Sequence, residues 1–108
     1  MRHTQGPEPP EYLSDEACEV WKTLNDEYNF ETSDLMLLQT ALECYDRLQI
    51  CRRLIDKEGV LVEDPSGRKR AHPALTAEKE ARSGLLQAWR LLALDEEPPG
   101  PVGRPAGG

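Results

Sequence analysis

Basic charge is scarce in this chain: thirteen lysines and arginines stand against twenty aspartates and glutamates, for a net charge of −7. A nonspecific nucleic-acid binder is ordinarily basic overall. Any nucleic-acid contact must therefore be local, or built by bringing several copies of one patch together. Long apolar runs are missing as well. No run exceeds four residues, as in Leu35-Met36-Leu37-Leu38, far short of the roughly 20 residues a membrane-spanning helix needs. No apolar stretch near Met1 resembles a secretion signal. Three cysteines, an odd number without close spacing, argue against a disulfide framework and for a reducing cytosol. There is no glycine loop with Lys and Ser/Thr to cradle phosphate, no metal-ligand spacing and no Gly-x-Ser-x-Gly elbow. No enzymatic activity, cofactor, metal or small-molecule substrate is expected.

What is present divides into three parts. Residues 1–12 carry Pro7, Pro9 and Pro10, and residues 96–108 carry Pro98, Pro99, Pro101 and Pro105 with four glycines. Neither segment holds enough apolar surface to offset the entropy of ordering it. The first is expected to be a flexible arm and the second a disordered tail. The foldable part is residues 13–95, with no internal repeat. A core of that size is marginal for one copy, because small domains bury a smaller share of their surface.

The sequence predicts a mainly α fold of three helices with a short β-hairpin between the second and third. Ser14 can cap the first helix, with Asp15 and Glu16 suited to its positive end. Leu13 and Cys18 occupy the staple positions. Ala17, Val20, Trp21, Leu24 and Tyr28 follow at helical spacing. The second helix is expected from Thr32-Ser33-Asp34 to a left-handed stop at Gly59, about 26 residues and roughly 39 Å long. Two apolar stripes run along it. Leu37, Ala41, Cys44, Leu48, Cys51 and Ile55 form a heptad-like seam, and Leu35, Leu38, Leu42 and Tyr45 lie beside it. So wide an arc is expected to need cover on two sides, one from the other helices and one from a neighbouring subunit.

Residues 59–72 change period. Val60-Leu61-Val62 is a short apolar run, Asp64-Pro65-Ser66-Gly67 has the composition of a turn, and Arg68 to Ala71 forms the return arm. Alone, such a hairpin is marginal in water, so it is expected to lean on the helices or on a neighbour's hairpin. Pro73 suits the first turn of the third helix, with Thr76 as a rival cap. Ala74, Ala77, Ala81, Leu85, Ala88 and Leu92 then form an apolar line beside Trp89, suited to antiparallel packing on the second helix. Gly84 in mid-helix implies that something packs close to it.

Charge is uneven along this layout. Residues 13–58 carry eleven acids and five bases, whereas residues 59–72 carry two acids and three bases. Arg68-Lys69-Arg70 is therefore the first candidate for phosphate contact. Arg52-Arg53 is the second, although Asp56, four residues after Arg52, is placed to pair with it. Charge runs are usually only solvated, so for a single copy the plain reading outweighs the functional one. Several copies pointing one way would reverse that. Cys18, Cys44 and Cys51 read as small buried apolar residues, His72 as a hydrogen-bonded structural residue, and Trp21 and Trp89 as core or interface anchors.

The ordered set "PPEYLSDEACEVWKTL", "SDLMLLQTALECYDRL", "EGVLVEDPSGRKRAHPAL" and "LLALDEEP" resembles the small subunit of phage terminases, of the short helical type, over residues 9 to about 95. The family's last helix usually ends in a Leu-Gly-Leu-Thr-Pro-like segment followed closely by an arginine. Here that place reads Leu92-Ala93-Leu94-Asp95-Glu96-Glu97-Pro98, and the next arginine is Arg104. The resemblance implies a non-enzymatic, ring-forming homo-oligomer in the host cell cytoplasm. Such a ring would bind viral double-stranded DNA and regulate a separate large subunit that carries the ATPase and nuclease. It also makes residues 96–108 a candidate for docking on that large subunit. No helix-turn-helix is evident, so DNA contact is expected mostly through the backbone. The alternative is a small helical adaptor that binds only protein. A thiol or histidine hydrolase finds no supporting constellation.

Overall fold

Helix α1, Asp15–Glu27, begins where the sequence places it. Ser14 is its N-cap, the hydroxyl oxygen accepting from the Ala17 amide at 3.0 Å. The computed structural model describes residues 6–94. It continues with α2 (Thr32–Glu58), β1 (Leu61–Glu63), β2 (Lys69–Ala71) and α3 (Pro73–Leu92). The expected tail 96–108, with Arg104, lies outside the described residues.

The stretch 6–12, expected to belong to a flexible arm, is instead held against the helices. Trp21 is buried in the core, and its indole N–H needs an acceptor there. The Pro7 carbonyl supplies one at 2.8 Å. Farther along, the Tyr12 hydroxyl binds the Glu43 carboxylate, and Gln39 Nε2 donates to that hydroxyl at 2.6 Å. Asp46 accepts from both the amide and the hydroxyl of Ser14, at 2.8 and 2.6 Å. The front of α1 is thus pinned to the middle of α2.

Helix α2 runs 27 residues. Its N-cap is Glu31, not the Thr32-Ser33 pair, and Asp34 accepts from the Glu31 amide at 3.1 Å. At the far end Gly59 has φ 88 and ψ 164. It is not the left-handed cap expected. That conformation sends the chain straight into β1, where a left-handed residue would curl it back over the helix. Only glycine adopts it without strain. Gly59→Ala is expected to lower stability by about 1–3 kcal/mol without changing the far-UV spectrum, measured by urea unfolding.

The two apolar stripes of α2 find cover within the same chain. Leu38 and Leu42 are buried in a cluster with Leu13, Ala17, Trp21 and Leu92, and Leu35 and Leu37 pack against it half-buried. Ala41, Leu48 and Cys51 are buried, and Cys44, Tyr45 and Ile55 are half-buried. The facing partners run in opposite directions along α2 and α3: Cys44 with Gly84, Arg52 with Glu78, Glu58 with His72. The helices are therefore antiparallel. On the sequence, a second copy is expected to shelter part of this arc; within one copy α1 and α3 bury Leu38, Ala41, Leu42, Leu48 and Cys51 and leave the other five stripe residues half-buried. Close approach makes this feasible. A Cβ on Gly84 would stand 2.8 Å from Cys44 Sγ, which answers why a glycine sits in mid-helix.

The hairpin pairs Leu61 with Ala71, Val62 with Arg70 and Glu63 with Lys69. Of the two supports expected, the helices or a neighbour's hairpin, the helices cover little of it. Both strands are exposed except at Val62. Helix α3 starts at Pro73 rather than near Thr76, because His72 is an effective N-cap: its Nδ1 accepts from the Ala74 amide at 2.9 Å.

Candidate nucleic-acid interface

The hairpin gains its shape from Asp64. One carboxylate oxygen accepts from the Ser66 hydroxyl at 2.7 Å, the Ser66 amide at 3.0 Å and the Arg68 amide at 2.9 Å. The Gly67 amide donates to the Asp64 carbonyl at 2.8 Å, and Gly67 has φ 89, a value glycine reaches freely. The Ser66 hydroxyl first, then the Arg68 amide, hold the Asp64 carboxyl below its ordinary 3.8. A depressed carboxyl stabilises the fold above its unfolded value and loses that contribution as pH falls through the folded value. Acidification below about 3.8 is therefore expected to loosen the turn before the helices. The check is an NMR titration in which the Ser66 and Arg68 amides move with one low midpoint and Asp64→Asn removes it.

The base of the hairpin is fastened by His72. Its Nδ1 accepts from Ala74, so the ring proton sits on Nε2 and is donated to Glu58 Oε1 at 2.6 Å. The ring is buried, and both nitrogens are engaged, which leaves no free lone pair for base catalysis. Sequence alone offers no partner for His72, because only the antiparallel return of α3 brings residue 72 back to residue 58.

Arg68, Lys69 and Arg70 are exposed, and among the described residues none of them forms an ion pair. They do not form one patch. Side chains alternate across a strand, so Lys69 and Arg70 project from opposite faces of the hairpin. Arg52 is not paired with Asp56. Its guanidinium lies 3.5 Å from Glu78 on α3, which also meets Arg82 at 3.7 Å. Arg53 is exposed and makes no ion pair among the described residues. The structure therefore leaves Arg53 and the hairpin cations open and draws Arg52 into the contact between helices. Cys18, Cys44 and Cys51 are free thiols, and no group of ligating side chains capable of holding a metal occurs among the described residues.

A second feature goes beyond the sequence reading. Val20, Leu42, Tyr45, Leu85, Leu86 and Trp89 line an open apolar groove of about 400 Å³ between the three helices. Leu86 is half exposed there. Adjacent leucines at 85 and 86 were the available signal, since neighbouring positions on a helix cannot both face the same partner.

A protein-family model matches most of the chain. The model described as phage terminase, small subunit, matches residues 18–97. The chain belongs to that family. The match covers α1 from Cys18 onward, both other helices and the whole hairpin of this small terminase subunit. No curated protein and no solved structure matches the chain. No described helix is long and apolar enough to cross a membrane.

Proposed function

We propose that this small terminase subunit forms a ring-shaped homo-oligomer that binds viral double-stranded DNA. In this reading it regulates the large ATPase/nuclease subunit during genome packaging, in the host cytoplasm, and catalyses nothing itself. The observation that carries the reading is the hairpin, whose cations stand exposed and form no ion pair among the described residues, on an otherwise acidic body. Arg68 and Arg70 are the principal phosphate contacts and Arg53 a secondary one, while Arg52 is committed to Glu78. One copy offers too little charge to hold a duplex. Repetition of the same hairpin around a ring adds these small fields into one that a phosphate backbone responds to. Self-association is supported by apolar side chains left in solvent, Leu61, Leu86 and Leu91 among them, each more than half exposed.

The groove beside Trp89 favours a second reading, a protein-binding adaptor without DNA contact, since aromatic-lined apolar clefts are ordinary docking sites for protein segments. Native mass spectrometry with a gel shift of linear duplex at low salt separates the two. A multimer that retards DNA supports the packaging role. A monomer that leaves DNA unshifted overturns it in favour of the adaptor.

A further inference from the structure

The hairpin has two free edges of opposite character. The Asp64 amide donates to the Arg68 carbonyl and the His72 amide to the Val60 carbonyl, both at 2.8 Å. In an antiparallel pair, bonded and non-bonded positions alternate. Val62 and Arg70 are therefore a bonded pair, while Leu61 with Ala71 and Glu63 with Lys69 are non-bonded. The N–H and C=O groups of Leu61 and Glu63 thus point outward along β1, and those of Lys69 and Ala71 outward along β2. No turn or side-chain hydrogen bond among the described residues uses them. One edge presents an acid and a leucine, the other a base and an alanine.

We propose that neighbouring copies join through these edges, β1 of one against β2 of the next, so that the hairpins form one antiparallel ladder around the assembly. This rests on the homo-oligomer reading above. Pairing Leu61 with Ala71 of the next copy puts Glu63 opposite its Lys69, an apolar contact beside an ion pair. A one-residue slip would turn every side chain to the wrong face. Two β2 edges together would oppose their cations, and like charges directly opposite are unfavourable. The contact is therefore head-to-tail, the kind that closes into a ring when the rotation permits. A hairpin of two three-residue strands gains the further strands it needs. Leu61, 56% exposed in one copy, gains an apolar neighbour. Arg70, on the opposite face, repeats around the ladder.

The test uses charge reversal on the full chain, with native mass spectrometry as the readout. Glu63→Lys alone sets two lysines against each other where one copy meets the next, and Lys69→Glu alone sets two glutamates together. Each is expected to need at least tenfold more protein than wild type to assemble. An equimolar mixture, one variant labelled with 15N, restores the contact between copies while each hairpin keeps its own like-charged pair. The mixture is expected to assemble like wild type with near-equal numbers of both variants. That rescue separates contact between copies from damage within one. If either variant alone assembles as wild type does, or the mixture does no better than its components, the edge pairing is overturned and the homo-oligomer stands. If wild type itself remains monomeric, the oligomer reading falls and takes the ladder with it.

Discussion

Arg68→Ala with Arg70→Ala weakens binding to linear double-stranded DNA by about a hundredfold at low salt, and the mass of the assembly does not change. A hydrogen bond to a charged group is worth about 1.5 kcal/mol or more, and every 1.4 kcal/mol is about tenfold. Removing two such bonds from each docked copy gives that figure as a lower bound. Lys69 is left in place because the strand register turns it to the other face, beside Glu63. The backbone amides that shape the turn donate to the Asp64 carboxylate and to main-chain carbonyls, so the substitutions spare the hairpin itself. Fluorescence anisotropy with a labelled duplex reads the effect. An affinity within twofold of wild type removes the hairpin from the DNA interface.

Trp21→Ala has the largest expected effect on stability. The side chain is 4% exposed and sits among Leu13, Ala17, Leu38, Leu42 and Leu92. Truncating a buried aromatic to alanine costs about 3–5 kcal/mol through forfeited transfer energy and the cavity left behind. Domains of this kind are stable by only about 5–15 kcal/mol in all. The expected fall in melting temperature is roughly 12 °C or more. Trp21→Phe separates two contributions. It keeps most of the apolar volume but loses the donor to the Pro7 carbonyl. The stretch 6–12 should then become protease-sensitive while α1 stays folded. Equal protection in Trp21→Phe and wild type would show that the indole hydrogen bond does not hold that stretch.

Local signals proved readable where one residue decides a conformation. Ser14 and Pro73 mark helix starts, and Asp64-Pro65-Ser66-Gly67 marks a turn, because capping and turn chemistry act over a few residues. The apolar spacing along 13–58 likewise indicated which positions of α2 would leave solvent. It could not indicate what would cover them, since a stripe looks the same whether α3 or another copy lies on it. That is why two stripes suggested a neighbour for surface that α1 and α3 bury at five of the ten positions. The pairing of Arg52 with Glu78 and of Glu58 with His72 was hidden for the same reason, as each depends on how two distant segments are brought together. Pro7 misled in another way. A proline-rich stretch reads as unstructured by composition, yet a single buried indole N–H elsewhere gives its carbonyl a reason to stay. Among the candidate DNA-binding residues, the cations were plain from the sequence, and the strand register revealed that Lys69 and Arg70 point apart.

A duplex should respond to many hairpins and not to one. The slope of log affinity against log salt concentration measures this directly, because each neutralised phosphate contributes about −0.9. The three cations of a single hairpin, together with Arg53 of the same copy, can supply at most about −3.6 by that rule. A slope clearly steeper than this, and reduced when Arg68 and Arg70 are replaced by alanine, is the predicted result. A slope of that size or shallower, or one that Arg68→Ala with Arg70→Ala leaves unchanged, would contradict collective binding by the hairpins.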